Sequence, residues 1–254
     1  MLNDTTQEAF EISMGRGSDL CDPTDCLTFD GPPTLKVLDG VATLGLYNFI
    51  ARQFSMPAGM CGHVVGALMG LINHLPNRHA VELLDIADQD DVLEMGFGPG
   101  WALKNMAKLV RSGTVTGVDW SPTMFRQAQA RNRAAIQNGK LKLIHGTFDR
   151  LPLECASVDK ILAVNVIYFW SAAGTALAEA RRVLRPGGTM SIYATDCSSM
   201  KRLQFIGPET QQIFDPKGLE VFLGKSVFAS DQIDIQMIGL PFGFRGLVAR
   251  LRKR

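Results

Sequence analysis

From residue 91 onward, short apolar runs alternate with stretches in which apolar residues recur at helical spacing. The pattern predicts strands at 91–95, 114–118, 141–145, 159–164 and 189–194, and helices near 100–111, 122–137 and 171–184. This alternation is typical of a parallel sheet with helices on both faces. Ser121 and Asp215 each precede a proline, which predicts helix starts at both positions. Residues 231–238 and 244–251 alternate like two strands joined by GLPFG, which predicts an antiparallel hairpin.

The N-terminal third has a different character. Residues 1–35 are rich in Asp, Thr, Gly and Pro and have no usable periodicity, so we expect a flexible leader. Residues 36–86 show helical spacing with a break at SMPAG, and we interpret them as a helical cap or lid ahead of a sheet domain at 87–254. The predicted fold class is α/β: a doubly wound, seven-stranded, mostly parallel sheet with a C-terminal antiparallel hairpin and an N-terminal helical cap.

Composition narrows the class of protein. A chain of 254 residues, 46% of them hydrophobic, can bury a full core. Its formal net charge of +1 argues against nucleic acid as a partner. The five cysteines are scattered without metal-ligand spacing, and we expect no metal. The N-terminus does not resemble a signal peptide, and the longest apolar run, residues 61–72, is too short for stable membrane insertion. A cytoplasmic protein is expected, with a homodimer left open.

The stretch VLEMGFGPG, residues 92–100, carries glycine at every second position: Gly96, Gly98 and Gly100. A strand, a glycine loop and a helix start together bring backbone N–H groups close to a ligand. Dinucleotide-binding loops follow G-x-G-x-x-G, and here the third glycine comes one position early, with Trp101 in its place. The P-loop pattern is also missing. The spacing therefore argues against a nicotinamide dinucleotide.

The actual pattern, E-x-G-x-G-x-G, resembles motif I of the class I S-adenosylmethionine-dependent methyltransferases. The similarity extends through residues 86–195 and is closest to the branch with ubiquinone and menaquinone C-methyltransferases and many small-molecule methyltransferases. The resemblance implies S-adenosyl-L-methionine as cofactor and a Rossmann-like domain. It also implies that the backbone from Gly96 to Gly100 lies against the methionine part, with Glu94 setting the loop or meeting the ammonium.

Acidic residues after the next two strands complete the expected cofactor site. Asp119 lies nineteen residues after Gly100, where a ribose needs a bidentate acceptor, and Trp120 beside it is a candidate wall for the adenine. After the third strand, the resemblance implies that Asp149 accepts from the adenine amine, with Phe148 as its neighbour. The cofactor-binding residues expected in this way are Glu94, Gly96, Phe97, Gly98, Gly100, Asp119, Trp120, Thr147, Phe148, Asp149 and Asn165.

Methyl transfer from a sulfonium is an in-line displacement that depends on positioning more than on acid–base groups. The sequence after the fourth strand, from Asn165 to Tyr168, lacks the [DN]-P-P-[YFW] motif of adenine and glutamine methyltransferases. His63 and Tyr168 are the candidate proton acceptors. The expected substrate-binding residues are Tyr47, Phe54, Met60, Tyr168 and Trp170.

The sequence thus predicts a methyltransferase acting on a small, partly apolar molecule of quinone, lipid, isoprenoid or other natural-product type. Two alternatives belong to other classes of protein. The first is a non-catalytic S-adenosylmethionine-binding protein, since no single residue proves chemistry. The second is a nicotinamide-dependent oxidoreductase, which the glycine spacing disfavours.

Overall fold

The computed structural model describes residues 73–171, 174–203, 210, 212–229 and 231–254. Seven strands form one sheet within these residues: β1 (Val92–Met95), β2 (Val115–Asp119), β3 (Leu141–His145), β4 (Val158–Val164), β5 (Leu184–Thr195), β6 (Gln232–Leu240) and β7 (Phe244–Arg252). Their order across the sheet is β3-β2-β1-β4-β5-β7-β6. Strands β1 to β5 run parallel, whereas β7 is antiparallel to both β5 and β6. The predicted fold class of the sheet, including its terminal hairpin, is confirmed.

Helices connect the strands in the predicted alternation. In the described part of the chain they are α1 (His74–Glu82), α2 (Trp101–Leu109), α3 (Pro122–Arg131), α4 (Arg133–Gln137), α5 (Thr175–Val183), α6 (Cys197–Leu203) and α7 (Pro216–Gly224). The Ser121 hydroxyl accepts from Met124 N at the start of α3, and the Asp215 carboxylate accepts from Gly218 N at the start of α7. Of the predicted helical cap, residues 36–72 lie outside the described residues.

Two predicted boundaries are wrong. The single helix expected over 122–137 is divided into α3 and α4 at Asn132, whose ψ of 17° departs from helical geometry. The fifth strand was expected to begin at residue 189, but β5 begins at Leu184, which pairs with Val158 before a register shift. Gly187, at φ 79°, lies in this irregular stretch, and regular pairing resumes at Thr189. A local irregularity of this kind leaves no trace in hydrophobic periodicity.

Apolar side chains cover both faces of the sheet. One face packs against α1, α2 and α3 through residues such as Ala80, Leu103 and Ala128. The other packs against α5 and α7 through residues such as Leu177 and Leu219. No helix in the described ranges is both long enough and apolar enough to cross a membrane. Because both faces are buried, the open end at which β1 to β4 terminate is where a ligand can reach the sheet.

The contact between β5 and β7 includes a tight fit of an aromatic ring against glycine. Tyr193 is fully buried, and a Cβ built on Gly246 would lie 2.6 Å from its Cζ. Gly246 pairs with Thr195 in the neighbouring strand. The Tyr193 ring therefore occupies the volume that any side chain at position 246 would need.

We expect Gly246→Ala to destabilise the protein by about 1–3 kcal/mol, because the added methyl group overpacks the core against Tyr193. Urea unfolding followed by circular dichroism measures the change. Gly239→Ala is the matched control, since Gly239 lies in the partner strand β6 and its Cβ would meet no described atom within 4 Å. Equal stability of the two variants would contradict the prediction.

Candidate active site

Three glycines shape the loop between β1 and α2. Gly96, Gly98 and Gly100 have φ of 80°, 51° and 79°, in the left-handed region that favours glycine. A Cβ at Gly96 would lie 2.7 Å from Val166 Cγ2, and one at Gly100 would lie 2.8 Å from Ala128 Cβ. A Cβ at Gly98 would meet no described atom within 4 Å. The outer glycines therefore allow close packing, whereas Gly98 faces open space.

Asp119, at the end of β2, holds this loop in place. Its Oδ2 accepts from Gly98 N at 2.8 Å and its Oδ1 accepts from Ser121 N at 2.8 Å. The residue is buried, with 4% of its surface exposed. Burial raises the pKa of Asp119 to about 6, although the hydrogen bonds from Ser121 and Gly98 oppose the rise. Asp119 thus joins β2 to the loop at Gly98.

Glu94, near the end of β1, is buried, and its Oε2 has no hydrogen-bond partner among the described residues. Burial, together with the negative charge of Asp119, raises the pKa of Glu94 to about 8. The backbone N–H of Leu103 hydrogen-bonds the carboxyl, but a buried carboxyl oxygen without a partner is costly and is stabilised by a positively charged donor. This buried acceptor fits the ammonium of an amino-acid ligand.

The loops after β3 and β4 bring aromatic side chains to the same end of the sheet. Phe148 is buried and meets Trp170 edge-on, with the ring centroids 6.5 Å apart. The Trp120 and Phe169 rings lie 6.3 Å apart. Asp149 is exposed and accepts through Oδ1 from the Thr175 hydroxyl at the start of α5. Thr147 is exposed between β3 and Phe148.

The aromatic residues after β4 differ in how deeply they are buried. Tyr168 and Trp170 were expected to contact substrate, yet they are 3% and 2% exposed. Phe169, which the prediction passed over, is half-buried and packs beside Trp120. The reason is the 3₁₀ turn Ile167–Phe169, which rotates successive side chains to different sides. The run YFW indicated an aromatic site without showing which ring faces outward.

Tyr168 also has little freedom for proton transfer. Its hydroxyl donates to Asn165 Oδ1 at 2.9 Å and accepts from Thr195 N. Burial raises the pKa of Tyr168 well above its ordinary range. The phenol is therefore neutral and already hydrogen-bonded to protein, which makes it poorly suited to accept a proton. His63, the other candidate, lies outside the described residues, as do Tyr47, Phe54 and Met60.

Asn165 is held in an uncommon conformation, with φ of 53°, directly after β4. Its Oδ1 accepts from Tyr168 Oη and from Thr195 N, and its Nδ2 donates to Asn73 Oδ1 at 2.9 Å. The side-chain amide thus has protein partners at both ends. Because the Asn165 N–H donates to Tyr193 O, a contact with a cofactor is left to the backbone carbonyl or to the second Nδ2 hydrogen. The bond to Asn73 also ties the chain just before α1 to this end of the sheet.

Phe97 contributes to the loop through its backbone, because its side chain is buried. It is 3% exposed, and its ring lies 6.4 Å from that of Phe125. A Cβ on Gly117 would come within 2.7 Å of Phe97 Cδ1, so the ring packs onto the sheet. Phe97 therefore anchors the loop on the side away from open space.

Comparisons with known proteins place the chain in a family. Residues 93–192 match the model of a family described as a methyltransferase domain. The chain is 30% identical over 146 residues to the uncharacterized methyltransferase YdaC of Bacillus subtilis, covering 56% of this chain and 78% of that relative. The chain belongs to the class I S-adenosylmethionine-dependent methyltransferases. The methyltransferase is thus an enzyme whose cofactor is S-adenosylmethionine, and the expectations of activity and cofactor are confirmed.

Two further similarities are to methyltransferases whose names state a substrate. The methyltransferase is 31% identical over 131 residues to a demethylmenaquinone methyltransferase of Tropheryma whipplei, covering 52% of this chain and spanning about half (51%) of that relative. Its structure is similar, at a TM-score of 0.59 and 11% identity, to geranyl diphosphate C-methyltransferase from Streptomyces coelicolor with S-adenosyl-L-homocysteine. That comparison covers 71% of this chain and 76% of the other, and it shows the fold alone.

The ligand-free protein should lose stability as the pH rises from about 6 to about 8. We expect this loss to be smaller in Glu94→Gln. The pKa of Glu94 is raised to about 8 in the folded protein, whereas a glutamate in the unfolded chain has a pKa of about 4.3. The folded state therefore binds more protons in this window, and stability that is present below about pH 4 is lost as the pH rises through about 8. Glutamine does not titrate. Urea unfolding at both pH values measures the difference.

Glu154→Gln provides the control, because Glu154 is an exposed glutamate on a loop. The stability of the Glu154→Gln variant should depend on pH in the same way as that of the unaltered protein. If Glu94→Gln shows the same decline with pH as the unaltered protein, then the Glu94 carboxyl is not held in its neutral form.

Proposed function

We propose that this methyltransferase binds S-adenosylmethionine along the open side of Gly98 and transfers its methyl group to a small, partly apolar acceptor. The observation that carries the proposal is the arrangement around Gly98. Its missing Cβ leaves free space, Asp119 accepts from its N–H, and the Glu94 carboxyl, whose Oε2 has no partner among the described residues, interacts electrostatically with Asp119. A ligand with one cationic end and one diol matches these groups.

In this assignment Glu94 accepts from the ammonium of the methionine part, and Asp119 accepts from the ribose hydroxyls. The Asp119 oxygens accept backbone N–H groups of Gly98 and Ser121, and the Trp120 N–H also acts on the carboxylate; its remaining acceptor capacity is assigned to the ribose hydroxyls. The positive charges of the cofactor also offset the cost of ionising two neighbouring buried carboxyls.

The adenine is assigned to the loops after β2 and β3. Trp120 offers an aromatic face, and Asp149 has a second oxygen free of the bond to Thr175 that can accept from the exocyclic amine. Thr147 and Phe148 contribute backbone groups at the same place. Asn165 is assigned a backbone contact, because its amide is already hydrogen-bonded to Tyr168, Thr195 and Asn73.

The sulfonium of the cofactor supplies an activated methyl group, so the protein's task is to orient the acceptor and exclude water. The aromatic side chains at the ends of β2 to β4 serve the second purpose. Tyr168 acts in this scheme as a positioning residue that holds Asn165 and Thr195 together. A general base, where the acceptor needs one, is assigned to His63.

Two observations support a partly apolar acceptor. The half-buried rings of Trp120 and Phe169 give an apolar surface beside the cofactor loop. A relative of similar sequence carries a name that specifies a quinone as substrate. We further propose that residues 36–72 complete the acceptor pocket with Tyr47, Phe54 and Met60. The hydrogen bond between Asn73 and Asn165 supports this, because it ties the end of that segment to the site.

We expect Gly98→Ala to weaken binding of S-adenosylhomocysteine by about 10- to 100-fold, because the new methyl group occupies space assigned to the cofactor. Isothermal titration calorimetry measures the affinity. Gly139→Ala is matched to it: Gly139 also has positive φ, at 75°, and its Cβ would also meet no described atom within 4 Å.

Both alanine variants carry the same kind of backbone strain, so similar losses of stability are expected. Only Gly98→Ala should lose affinity. Normal binding by Gly98→Ala would place the cofactor elsewhere, and an equal loss in Gly139→Ala would attribute the effect to general destabilisation.

The acceptor class and the role of Tyr168 are tested together by release of S-adenosylhomocysteine. We expect turnover with at least one member of a panel of demethylated quinones, isoprenyl diphosphates and fatty acids. With that acceptor, Tyr168→Phe should lower kcat by less than about tenfold while costing about 1–2 kcal/mol of stability, since only a hydrogen-bonding hydroxyl is lost.

A loss of kcat greater than about a thousandfold in Tyr168→Phe, with unchanged cofactor affinity, would instead make this tyrosine the proton acceptor. Turnover confined to polar or macromolecular acceptors would contradict the proposed substrate class.

A further inference from the structure

The end of helix α3 contacts the glycine loop from a direction that the sequence motifs do not indicate. Arg131 Nη1 donates to Pro99 O, and the Arg131 guanidinium carbon lies 4.1 Å from the Trp101 ring centroid. The neighbouring Asn132 donates through Nδ2 to Gly100 O at 3.0 Å and to Ala128 O at 2.9 Å. Arg131 at the end of α3 and the adjacent C-cap residue Asn132 thus engage Pro99 and Gly100 of the loop and Trp101 at the start of α2.

We propose that Arg131 and Asn132 are positioning residues that hold the loop backbone in its cofactor-binding conformation. This inference rests on the cofactor site proposed above at Gly98. Neither residue needs to touch the cofactor, because both act on the carbonyl groups of Pro99 and Gly100.

The reason such positioning is needed lies in the glycines themselves. Glycine has access to more backbone conformations than any other residue, so a loop with three of them loses much entropy when it is ordered. Asp119 fixes the N–H of Gly98, and Arg131 fixes the carbonyl of the following residue, Pro99. The hydrogen bond from Gly100 N to Phe97 O then closes the turn. The open stretch at Gly98 is therefore restrained on both sides before a ligand arrives.

Arginine suits this position for a geometric reason. Its planar guanidinium can stack on an indole ring while an in-plane N–H donates to a carbonyl, and lysine has no flat surface for stacking. Trp101 is 41% exposed, so the stacked pair lies at the surface beside the loop. Asn132 lies deeper and is 3% exposed. Any Cβ on Gly100 would lie 2.7 Å from Asn132 Nδ2, so the loop and the asparagine fit closely.

Arg131→Met tests the proposal, because methionine retains the apolar part of the side chain and removes both the donor and the charge. We expect S-adenosylhomocysteine to bind about tenfold more weakly by calorimetry, since a restraint provided by a charge-assisted hydrogen bond is lost. Arg131→Lys should recover part of the affinity, because it can donate to Pro99 O but cannot stack. The unfolding midpoint of the ligand-free protein should change little, because Arg131 is only partly buried.

Arg126→Met is the matched control on the same helix. Arg126 is exposed and donates to Thr123 Oγ1 within α3, so the variant makes the same change of charge away from the loop. With an accepted substrate, Arg131→Met should raise KM for S-adenosylmethionine about tenfold and leave kcat within about twofold, since the residue does not touch the reacting atoms.

Wild-type affinity in Arg131→Met, or an equal loss in Arg126→Met, would overturn the proposal. A loss of affinity that Arg131→Lys does not recover at all would also overturn it, because the hydrogen bond to Pro99 would then have no effect. The Gly98→Ala variant distinguishes the positioning role of Arg131 from the proposed location of the cofactor. If Gly98→Ala loses binding while Arg131→Met does not, only the positioning role of Arg131 is contradicted. If both variants bind normally, the cofactor site proposed at Gly98 is contradicted.

Discussion

The hydrogen bond between Gly98 N and the Asp119 carboxylate links the ends of the first two strands at the loop where the cofactor is proposed to bind. Its geometry depends on the parallel register of β1 and β2, which brings Met95 beside Val118. Gly96 N extends this register by donating to Val118 O. With the loop fixed to the sheet in this way, the first turn of α2 and the end of α3 have a defined surface to pack against.

The burial of Asp119 next to Glu94 creates an electrostatic problem that the proposed cofactor relieves. Asp119 and Glu94 are both buried, and the pKa of each is raised by burial. Ionising both without a counter-charge is unfavourable in a low-dielectric environment. In the proposed site, the ammonium and sulfonium of S-adenosylmethionine lie near these carboxyls, so cofactor binding and ionisation of the two carboxyls favour each other. This arrangement disfavours the empty ionised site and favours a cationic ligand.

The acceptor side of the site is built differently. It depends on aromatic rings at the ends of β2 to β4 and on the amide of Asn165, whose partners come from Asn73 and Thr195. These contacts join three separated parts of the chain at one end of the sheet. In the proposed assignment, acceptor recognition therefore depends on packing between segments, whereas cofactor recognition depends mainly on one loop and two strand ends.

The sequence by itself determined the features that follow local rules. Strand and helix order follow from the periodicity of apolar residues, the starts of α3 and α7 follow from capping residues before proline, and the loop conformation follows from its glycines. The positions of Glu94 and Asp119 at the ends of β1 and β2 follow from the same reasoning, because each comes at the close of an apolar run.

Tertiary structure alone decided which side chains meet. The rotation of the 3₁₀ turn buried Tyr168 and Trp170 and left Phe169 beside Trp120. The contact between Arg131 and Pro99 joins residues 32 positions apart, and the division of the helix at Asn132 accompanies that contact. Periodicity describes which face of an element is buried, but it contains no information on which element will pack there. Contacts between distant segments arise from the three-dimensional packing of whole helices and strands, so they become visible only in the folded chain.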